Sequence, residues 1–263
     1  MATAAVDDKL IRPMRGVDLE LTRRGKGPPL LYLHGAGGSR PDSAFIDMLA
    51  ERAEVFAPTH PGFSGSELPD WIDHIDDLVY LYMDLLDGLK LENVTLAGFS
   101  MGGWIAAEMA VRSTTRLARL VLVGAVGIKA GDRETRDIPD IWGLHPRDVA
   151  ELVWHRREMI PDYGKMTDAE LERIARDQEA AALYLWEPYM HNPRLLRRLH
   201  RVDRPTLLLR GAHDGLVSRA YMEAWAAAIP GARHDVIEGA GHVPDVEQPA
   251  ALAQKILRFA GLG

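Results

Sequence analysis

The chain alternates short, continuously apolar runs with longer stretches whose apolar residues recur at helical spacing. Runs that are apolar at successive positions are typical of strands covered on both faces. Six of them occur, at Leu30–Leu33, Val55–Ala57, Val94–Ala97, Leu120–Val123, Thr206–Leu209 and Asp235–Ile237. Helices are predicted near residues 42–52, 75–89, 102–112, 218–229 and 247–260. This alternation predicts an α/β domain with a mostly parallel, doubly wound sheet flanked by helices.

Two stretches depart from this alternation of strands and helices. Val17–Thr22 alternates apolar and polar residues, which predicts a strand of an edge hairpin with one face in water. Between Gly127 and Arg204 there is no strand-like run, and Thr167–Glu170 has the signature of a helix capping box. We therefore predict a helical cap, or lid, over residues 127–202, inserted after the sixth strand when the hairpin counts as two. Residues 1–126 and 203–263 would form the core domain.

The predicted cap is rich in aromatic residues. These side chains either pack the cap against the sheet or line a pocket between cap and sheet, and the sequence leaves both possibilities open. The residues concerned are Trp142, Trp154, Trp186, Tyr163, Tyr184 and Tyr189.

Composition narrows the range of functions. The 263 residues are 47% apolar, which suits one globular domain with an insertion. A net charge of -7, without a long basic run, argues against nucleic acid as a partner. The absence of cysteine excludes disulfides and thiolate chemistry. Residues 1–9 lack the apolar core of a signal peptide, and no apolar run approaches the roughly 20 residues of a membrane span, so we expect a soluble, cytoplasmic protein without a membrane partner.

The sequence Gly98-Phe-Ser-Met-Gly102 lies directly after a predicted strand and directly before a predicted helix. Glycines two residues before and after the serine allow strand and helix to pass closely, while Ser100 takes a strained conformation at the apex. The N-terminus of the helix, with the N–H of Met101, would favour negative charge at the same point. This arrangement predicts a nucleophilic serine in a reaction that forms an oxyanion.

A serine hydroxyl needs a base, and the base needs an orienting acid. Asp214 follows the predicted strand at Thr206–Leu209, and His242 follows the strand at Asp235–Ile237. Considered alone, Asp214 could be a turn or helix-cap residue and His242 a loop histidine. Their joint position after successive strands predicts a triad in the order Ser100, Asp214, His242. Asp132 is a competing candidate for the acid.

Together these motifs resemble the α/β-hydrolase superfamily, in its branch of serine esterases and meta-cleavage-product hydrolases. Further similar features are His34-Gly35 after an early strand, the glycine-rich turn His60–Ser66 and Gly211-Ala-His-Asp214. The resemblance implies that the N–H of Ala36 is the second oxyanion donor beside that of Met101, and that no metal or cofactor is required. His34 is expected to shape the loop. We expect substrate contacts from Phe99, Trp142, Trp154, Trp186 and Val243.

The nucleophile distinguishes among relatives of this fold. Haloalkane dehalogenases and epoxide hydrolases carry an aspartate where Ser100 stands, and lipases with a His-Gly-Gly-Gly motif differ from His34-Gly-Ala-Gly-Gly38. Meta-cleavage-product hydrolases commonly carry tryptophan after the catalytic histidine, where this chain has Val243. The resemblance thus implies a carboxylic ester hydrolase that acts on a small to medium, largely apolar ester or lactone. A C–C hydrolase and a slow-turnover ligand receptor are the alternatives, and perhydrolase activity is expected only as a side reaction.

Overall fold

The computed structural model describes residues 7–14 and 16–263. This part of the chain contains an eight-stranded sheet in the order β1-β2-β4-β3-β5-β6-β7-β8. The strands are β1 (Asp7–Met14), β2 (Val17–Arg24), β3 (Pro29–Leu33), β4 (Glu54–Pro58), β5 (Val94–Phe99), β6 (Leu117–Val123), β7 (Thr206–Gly211) and β8 (Arg233–Ile237). The predicted edge hairpin is the antiparallel pair β1–β2, and β3 to β8 are parallel. Residues 1–6, which hold most of the N-terminal segment considered above, lie outside the described residues.

Strands β3 to β7 are largely buried on both faces, which explains why their sequences are mostly apolar, whereas the edge strand β8 begins with three exposed polar residues. Successive side chains of a strand point to opposite faces. Leu31 and Leu33 accordingly pack in one core with helices α2, α3 and α6, whereas Leu30 and Tyr32 pack in a second core with α1 and α8. These helices span Ala44–Ala50 (α1), Ile75–Gly88 (α2), Met101–Arg112 (α3), Arg219–Ala228 (α6) and Pro249–Ala260 (α8). The α/β-hydrolase fold predicted from the sequence is confirmed.

The helix predicted near residues 247–260 is present, and a short helix that the sequence analysis did not predict precedes it. The structure has two helices there, α7 (Pro244–Glu247) and α8, separated by Gln248 with φ -141° and ψ 53°. Proline stands at the start of each helix, where its missing N–H costs no hydrogen bond. The two prolines therefore divide the segment, and α7 begins two residues after His242.

The order of strands determines where a site can form. The chain enters the sheet centre at β3, crosses to β4 on one side and then to β5 on the other. Loops after β3 and β5 diverge at such a switch point and leave a crevice at the carboxyl ends of the strands. The loop 34–40 and Ser100 follow these two strands.

Between β6 and β7 the described chain forms helices α4 (Pro146–Val153) and α5 (Asp168–Leu185), joined by irregular segments and short 3₁₀ turns. The capping box at Thr167 and Glu170 is present and begins α5. The buried face of α5 contributes Ala180, Ala181, Tyr184 and Leu185 to the larger core. The limits of 127–202 for a separate cap remain a prediction, and those residues are called the inserted segment below.

Candidate active site

Ser100 lies at the sharp turn between β5 and α3. Its φ of 51° and ψ of -112° are unfavourable for a residue with a Cβ, and such strain is typical of a nucleophile held at an apex. A Cβ at Gly98 would overlap the carbonyl of Gly102, and one at Gly102 would overlap the carbonyl of Leu33. Both glycines are thus required because the helix passes so close to strands β3 and β5.

The structure brings the three predicted triad side chains together. The Ser100 hydroxyl lies 3.0 Å from His242 Nε2, and His242 Nδ1 lies 2.9 Å from Asp214 Oδ2. All three are buried. The ionised carboxylate can only accept, so Nδ1 carries the proton and Nε2 is free to take the proton of Ser100.

The acid loop holds Asp214 in one orientation. Its Oδ1 accepts hydrogen bonds from the N–H groups of Leu216 and Val217 at 2.9 and 2.8 Å. Arg210 braces the same loop by donating to the carbonyls of Asp214 and Val217. Only Oδ2 is then left for the histidine, which fixes the plane of the imidazole. The sequence analysis did not anticipate Arg210, because its role depends on the loop conformation.

A tight turn at residues 35–38 presents the predicted oxyanion donor. The carbonyl of Gly35 accepts from His34 Nδ1 at 2.7 Å and from the Gly38 N–H at 3.2 Å. In a trans peptide the carbonyl and the following N–H point in opposite directions, so the Ala36 N–H is turned away from His34. Within the described residues neither Ala36 N–H nor Met101 N–H donates to a protein acceptor. Both N–H groups are therefore free to stabilise an oxyanion.

Two buried histidines support this turn. The His60 N–H donates to His34 Nε2 at 2.9 Å, and His60 Nε2 donates to the His34 carbonyl at 2.9 Å. The Tyr82 hydroxyl bonds to His60 Nδ1. Because a backbone N–H is always a donor, His34 Nε2 must be the acceptor and Nδ1 carries the proton. Burial lowers the pKa of His34 to about 4 and lowers that of His60 well below its usual value.

These lowered pKa values predict acid sensitivity. The unfolded chain binds protons on both histidines below about pH 6.5, whereas the folded protein keeps His34 neutral until about pH 4 and lowers the pKa of His60 in the same direction, so stability falls as the pH is lowered through this window. For His34 the full shift is worth about 3 kcal/mol. We expect the melting temperature of His34→Gln to decline less steeply between pH 6.5 and 4.5 than that of the wild type. Equal slopes would contradict the assignment of neutral, buried histidines.

A cavity of about 720 Å³ lies above Ser100. Its floor includes Ser100, His242 and the turn that carries Ala36. Its walls come largely from the inserted segment, including Trp142, Val149, Trp154, Ile174 and Leu185. This volume falls within the usual range for small-molecule sites. The cavity thus places apolar side chains of the inserted segment opposite the nucleophile.

Four of the five residues predicted to contact substrate line this cavity: Phe99, Trp142, Trp154 and Val243. The prediction for Trp186 is wrong, because this side chain is absent from the lining, 58% exposed and packed edge-on against Trp142.

Asp132, the competing candidate for the acid, lies away from the triad in an exposed turn, where its Oδ1 accepts from the N–H groups of Glu134 and Thr135. Tyr184, by contrast, packs the inserted segment on the core, and its hydroxyl donates to the Pro61 carbonyl at 3.1 Å.

The tryptophans offer a test of the cavity walls. Trp142→Ala or Trp154→Ala should change the preferred acyl or alcohol size, because remote binding energy orients the carbonyl of the substrate. Trp186→Ala is the matched control and should leave that preference unchanged. A chain-length series of esters, measured beside melting temperature and phosphonate labelling of Ser100, separates selectivity from stability. If Trp142→Ala and Trp154→Ala both keep the wild-type ratios, the assigned walls are wrong.

Comparison with known proteins decides the family. Residues 30–255 match the model of the alpha/beta hydrolase family. The chain belongs to this family. The matched range spans Ser100, Asp214 and His242, together with the inserted segment. The chain is therefore an α/β-hydrolase, and the finer question is which bond this hydrolase cleaves.

Individual relatives divide between two reactions. A 2-hydroxymuconate semialdehyde hydrolase from Pseudomonas putida is 26% identical over 93% of this chain and 91% of its own length. Among solved structures, a meta-cleavage product hydrolase from Pseudomonas fluorescens IP01 superposes with a TM-score of 0.79, at 22% identity and with 97% and 98% of the two chains covered. A carboxylesterase from Bacillus subtilis gives a TM-score of 0.72 at 21% identity, covering 98% and 93%. At these identities the structural matches establish the fold alone.

In this hydrolase, hydrogen bonds join the inserted segment directly to the loops that carry Asp214 and His242. Residues 152–156, here called the connector, run from the end of α4 past the acid and histidine loops. The Leu152 carbonyl accepts from the Gly215 N–H at 2.9 Å, and the Val153 carbonyl accepts from the His242 N–H at 2.7 Å. Buried Glu247 accepts from the N–H groups of Arg156 and Gly241, both at 2.6 Å. No local pattern marks Glu247, because one of its two backbone partners, Arg156, lies 91 residues away in the chain.

No helix in the described ranges 7–14 and 16–263 combines the length and apolar character that a bilayer crossing requires.

Proposed function

We propose that this protein hydrolyses an uncharged, largely apolar carboxylic ester or lactone through an acyl-enzyme on Ser100. The pairing of the arginines in the cavity is the observation that best supports an uncharged substrate. Two arginines line the cavity, and each is paired with a carboxylate that also lines it: Arg40 with Asp245 at 3.0 Å, and Arg173 with Asp177 at 3.2 Å. Among the residues that the structure describes, the cavity thus offers no unpaired arginine to an anionic substrate, while apolar side chains form most of its walls.

The proposed reaction follows from the distances. His242 Nε2 takes the proton of Ser100 as its hydroxyl oxygen attacks the carbonyl carbon, and the oxyanion forms between the N–H groups of Ala36 and Met101. The protonated His242 then gives its proton to the leaving alcohol, and the acyl group stays on Ser100. Water, deprotonated by the same nitrogen, releases the acid by the reverse sequence. Asp214 holds the imidazole and stabilises its charged form throughout.

C–C bond hydrolysis is the second candidate, and the sequence relatives favour it. The Pseudomonas putida relative is named for 2-hydroxymuconate semialdehyde, and another from the same species for 2-hydroxy-6-oxo-2,4-heptadienoate, at 26% identity. A dienoate carries a carboxylate, which would need a cation in the cavity. Here both cavity arginines are already paired, and Val243 follows the histidine. These two features lead us to place ester hydrolysis first.

The test compares matched substrates on one purified sample. We expect steady multiple turnover of p-nitrophenyl butyrate, with kcat/KM about tenfold above that for the similarly sized, anionic p-nitrophenyl hemisuccinate. Asp245→Asn should narrow this gap, because it leaves the Arg40 charge unpaired. A meta-cleavage dienoate turned over faster than every ester would replace our proposal with C–C hydrolysis. A single turnover with retained product would instead favour the ligand receptor.

A further inference from the structure

Helix α5 buries one charged side chain against the core. Its buried residues are Asp177, Ala180, Ala181, Tyr184 and Leu185, and only the first of them carries charge. Asp177 is 3% exposed, whereas the Glu172 side chain, on the same helix, is 64% exposed. A carboxylate at such a position costs free energy unless its partners compensate for the lost water. The identity of those partners therefore matters.

Asp177 contacts two loops outside the inserted segment and one arginine of its own helix. Its Oδ1 accepts from the Ser64 N–H at 2.5 Å, and Arg173, one turn earlier on α5, donates to Oδ2 at 3.2 Å. The same carboxylate rests on the backbone of Gly38, where any Cβ would overlap it and where φ is +84°. Burial raises the pKa of Asp177 and its contacts with Ser64 and Arg173 oppose that rise. Asp177 thus joins α5 to the loops 34–40 and 60–66.

Gly38 is the residue that closes the turn presenting Ala36. The Gly38 N–H donates to the Gly35 carbonyl at 3.2 Å, and the orientation of the Gly35–Ala36 peptide depends on that carbonyl. An oxyanion donor is effective only when it lies about 2.7–3.1 Å from the developing charge. A displacement of Gly38 toward the space now filled by the carboxylate would rotate this peptide and move the Ala36 N–H.

We propose that Asp177 is a positioning residue for the oxyanion hole: from the inserted segment, its carboxylate sets the turn at residues 35–38 and so aims the Ala36 N–H. This inference rests on the proposed acyl chemistry at Ser100. It adds a residue that touches neither the substrate carbonyl nor the triad. Apolar contacts such as those of Ala180 and Ala181 already attach α5 to the core, so attachment alone does not require a charge at this site.

Two substitutions and one control test the proposal. Asp177→Asn keeps the shape but directs an amide N–H toward Gly38 or Ser64, and Asp177→Ser removes the contact without adding an N–H. Glu172→Gln makes the same carboxylate-to-amide change on the exposed face of α5, where the pair with Arg176 is lost. We expect kcat for p-nitrophenyl butyrate to fall at least about tenfold in both Asp177 variants, with KM within about twofold, and to stay unchanged in the control.

A carbonyl-to-thiocarbonyl comparison separates positioning from general loosening. The ratio of kcat/KM for an ester to that for its thiono analogue reports how strongly the oxyanion hole prefers oxygen, and a defective hole lowers this ratio. We expect the ratio to fall several-fold in Asp177→Asn and Asp177→Ser but not in Glu172→Gln. If both Asp177 variants keep the wild-type ratio and kcat, the positioning role is wrong, whatever their melting temperatures.

Failure of the proposed function has a different signature. If the wild type turns over none of the esters, ester hydrolysis is wrong, and the role of Asp177 is then measured by the rate at which a small phosphonate labels Ser100. The phosphoryl oxygen needs the same two N–H donors. Labelling at least about tenfold slower in both Asp177 variants than in Glu172→Gln supports the positioning role, and equal rates overturn it. The labelling rates are measured below the melting temperature of each variant, so that unfolding does not affect the comparison.

Discussion

Ser100→Ala is expected to abolish nearly all turnover, with a loss in kcat on the order of 10⁶, by analogy with serine proteases in which triad members act as a unit. The structure gives the reason: the Ser100 hydroxyl lies 3.0 Å from His242 Nε2, and Ser100 forms part of the floor of the cavity. Steady-state assays with p-nitrophenyl butyrate measure the loss.

The same variant should fold normally, because the backbone at Ser100 is strained and the serine side chain contributes little packing to the folded state. An organophosphonate should label the wild type at Ser100 and leave the variant unlabelled, as judged by intact mass and peptide mapping. Turnover within tenfold of the wild type would mean that another group is the nucleophile.

Asp214→Asn should lower kcat by up to about 10⁴ with little change in melting temperature. The N–H groups of Leu216 and Val217 require an oxygen at the inner position, so the new amide nitrogen must face His242. His242 Nδ1 would then have to accept, and its proton would move to Nε2, where it blocks transfer from Ser100. The predicted defect is one of tautomer rather than of shape.

Asp132→Asn is the matched control for the acid. Asp132 is bound to N–H groups of its own exposed turn, so its substitution should leave kcat within about twofold of the wild type. A larger loss from Asp132→Asn than from Asp214→Asn would show that the acid has been assigned to the wrong residue.

The features predicted well from the sequence are those that local chemistry dictates. Continuous apolar runs indicated most of the parallel strands, because burial on both faces leaves few polar positions. The Gly98-to-Gly102 pattern located the turn at Ser100, because only glycine tolerates such close backbone approach. The positions of Asp214 and His242 followed from the rule that parallel strands bring their carboxyl ends to one edge.

The features missed from the sequence depend on contacts between distant residues. Trp186 has the same aromatic character as Trp142, yet it lies exposed just after the end of α5, and no local pattern distinguishes the two. Asp177 reads as an ordinary polar position of an amphipathic helix until the loops at Gly38 and Ser64 lie beside it. Glu247 binds two N–H groups, one of them 91 residues away. In each case the partner, rather than the residue itself, determines the role.

The connector has a consequence for the catalytic cycle. The carbonyl of Val153 holds the backbone of His242, and Leu152 holds the acid loop at Gly215. Any swing of the inserted segment that moves the connector would therefore withdraw support from the base and the acid at the moment the cavity is uncovered. The state that admits a substrate and the state in which the triad is supported would therefore exclude each other. With that opening the hydrolase would be idle while exposed to bulk water, and the proposed acyl-enzyme would form and be released behind walls that also keep His242 in place.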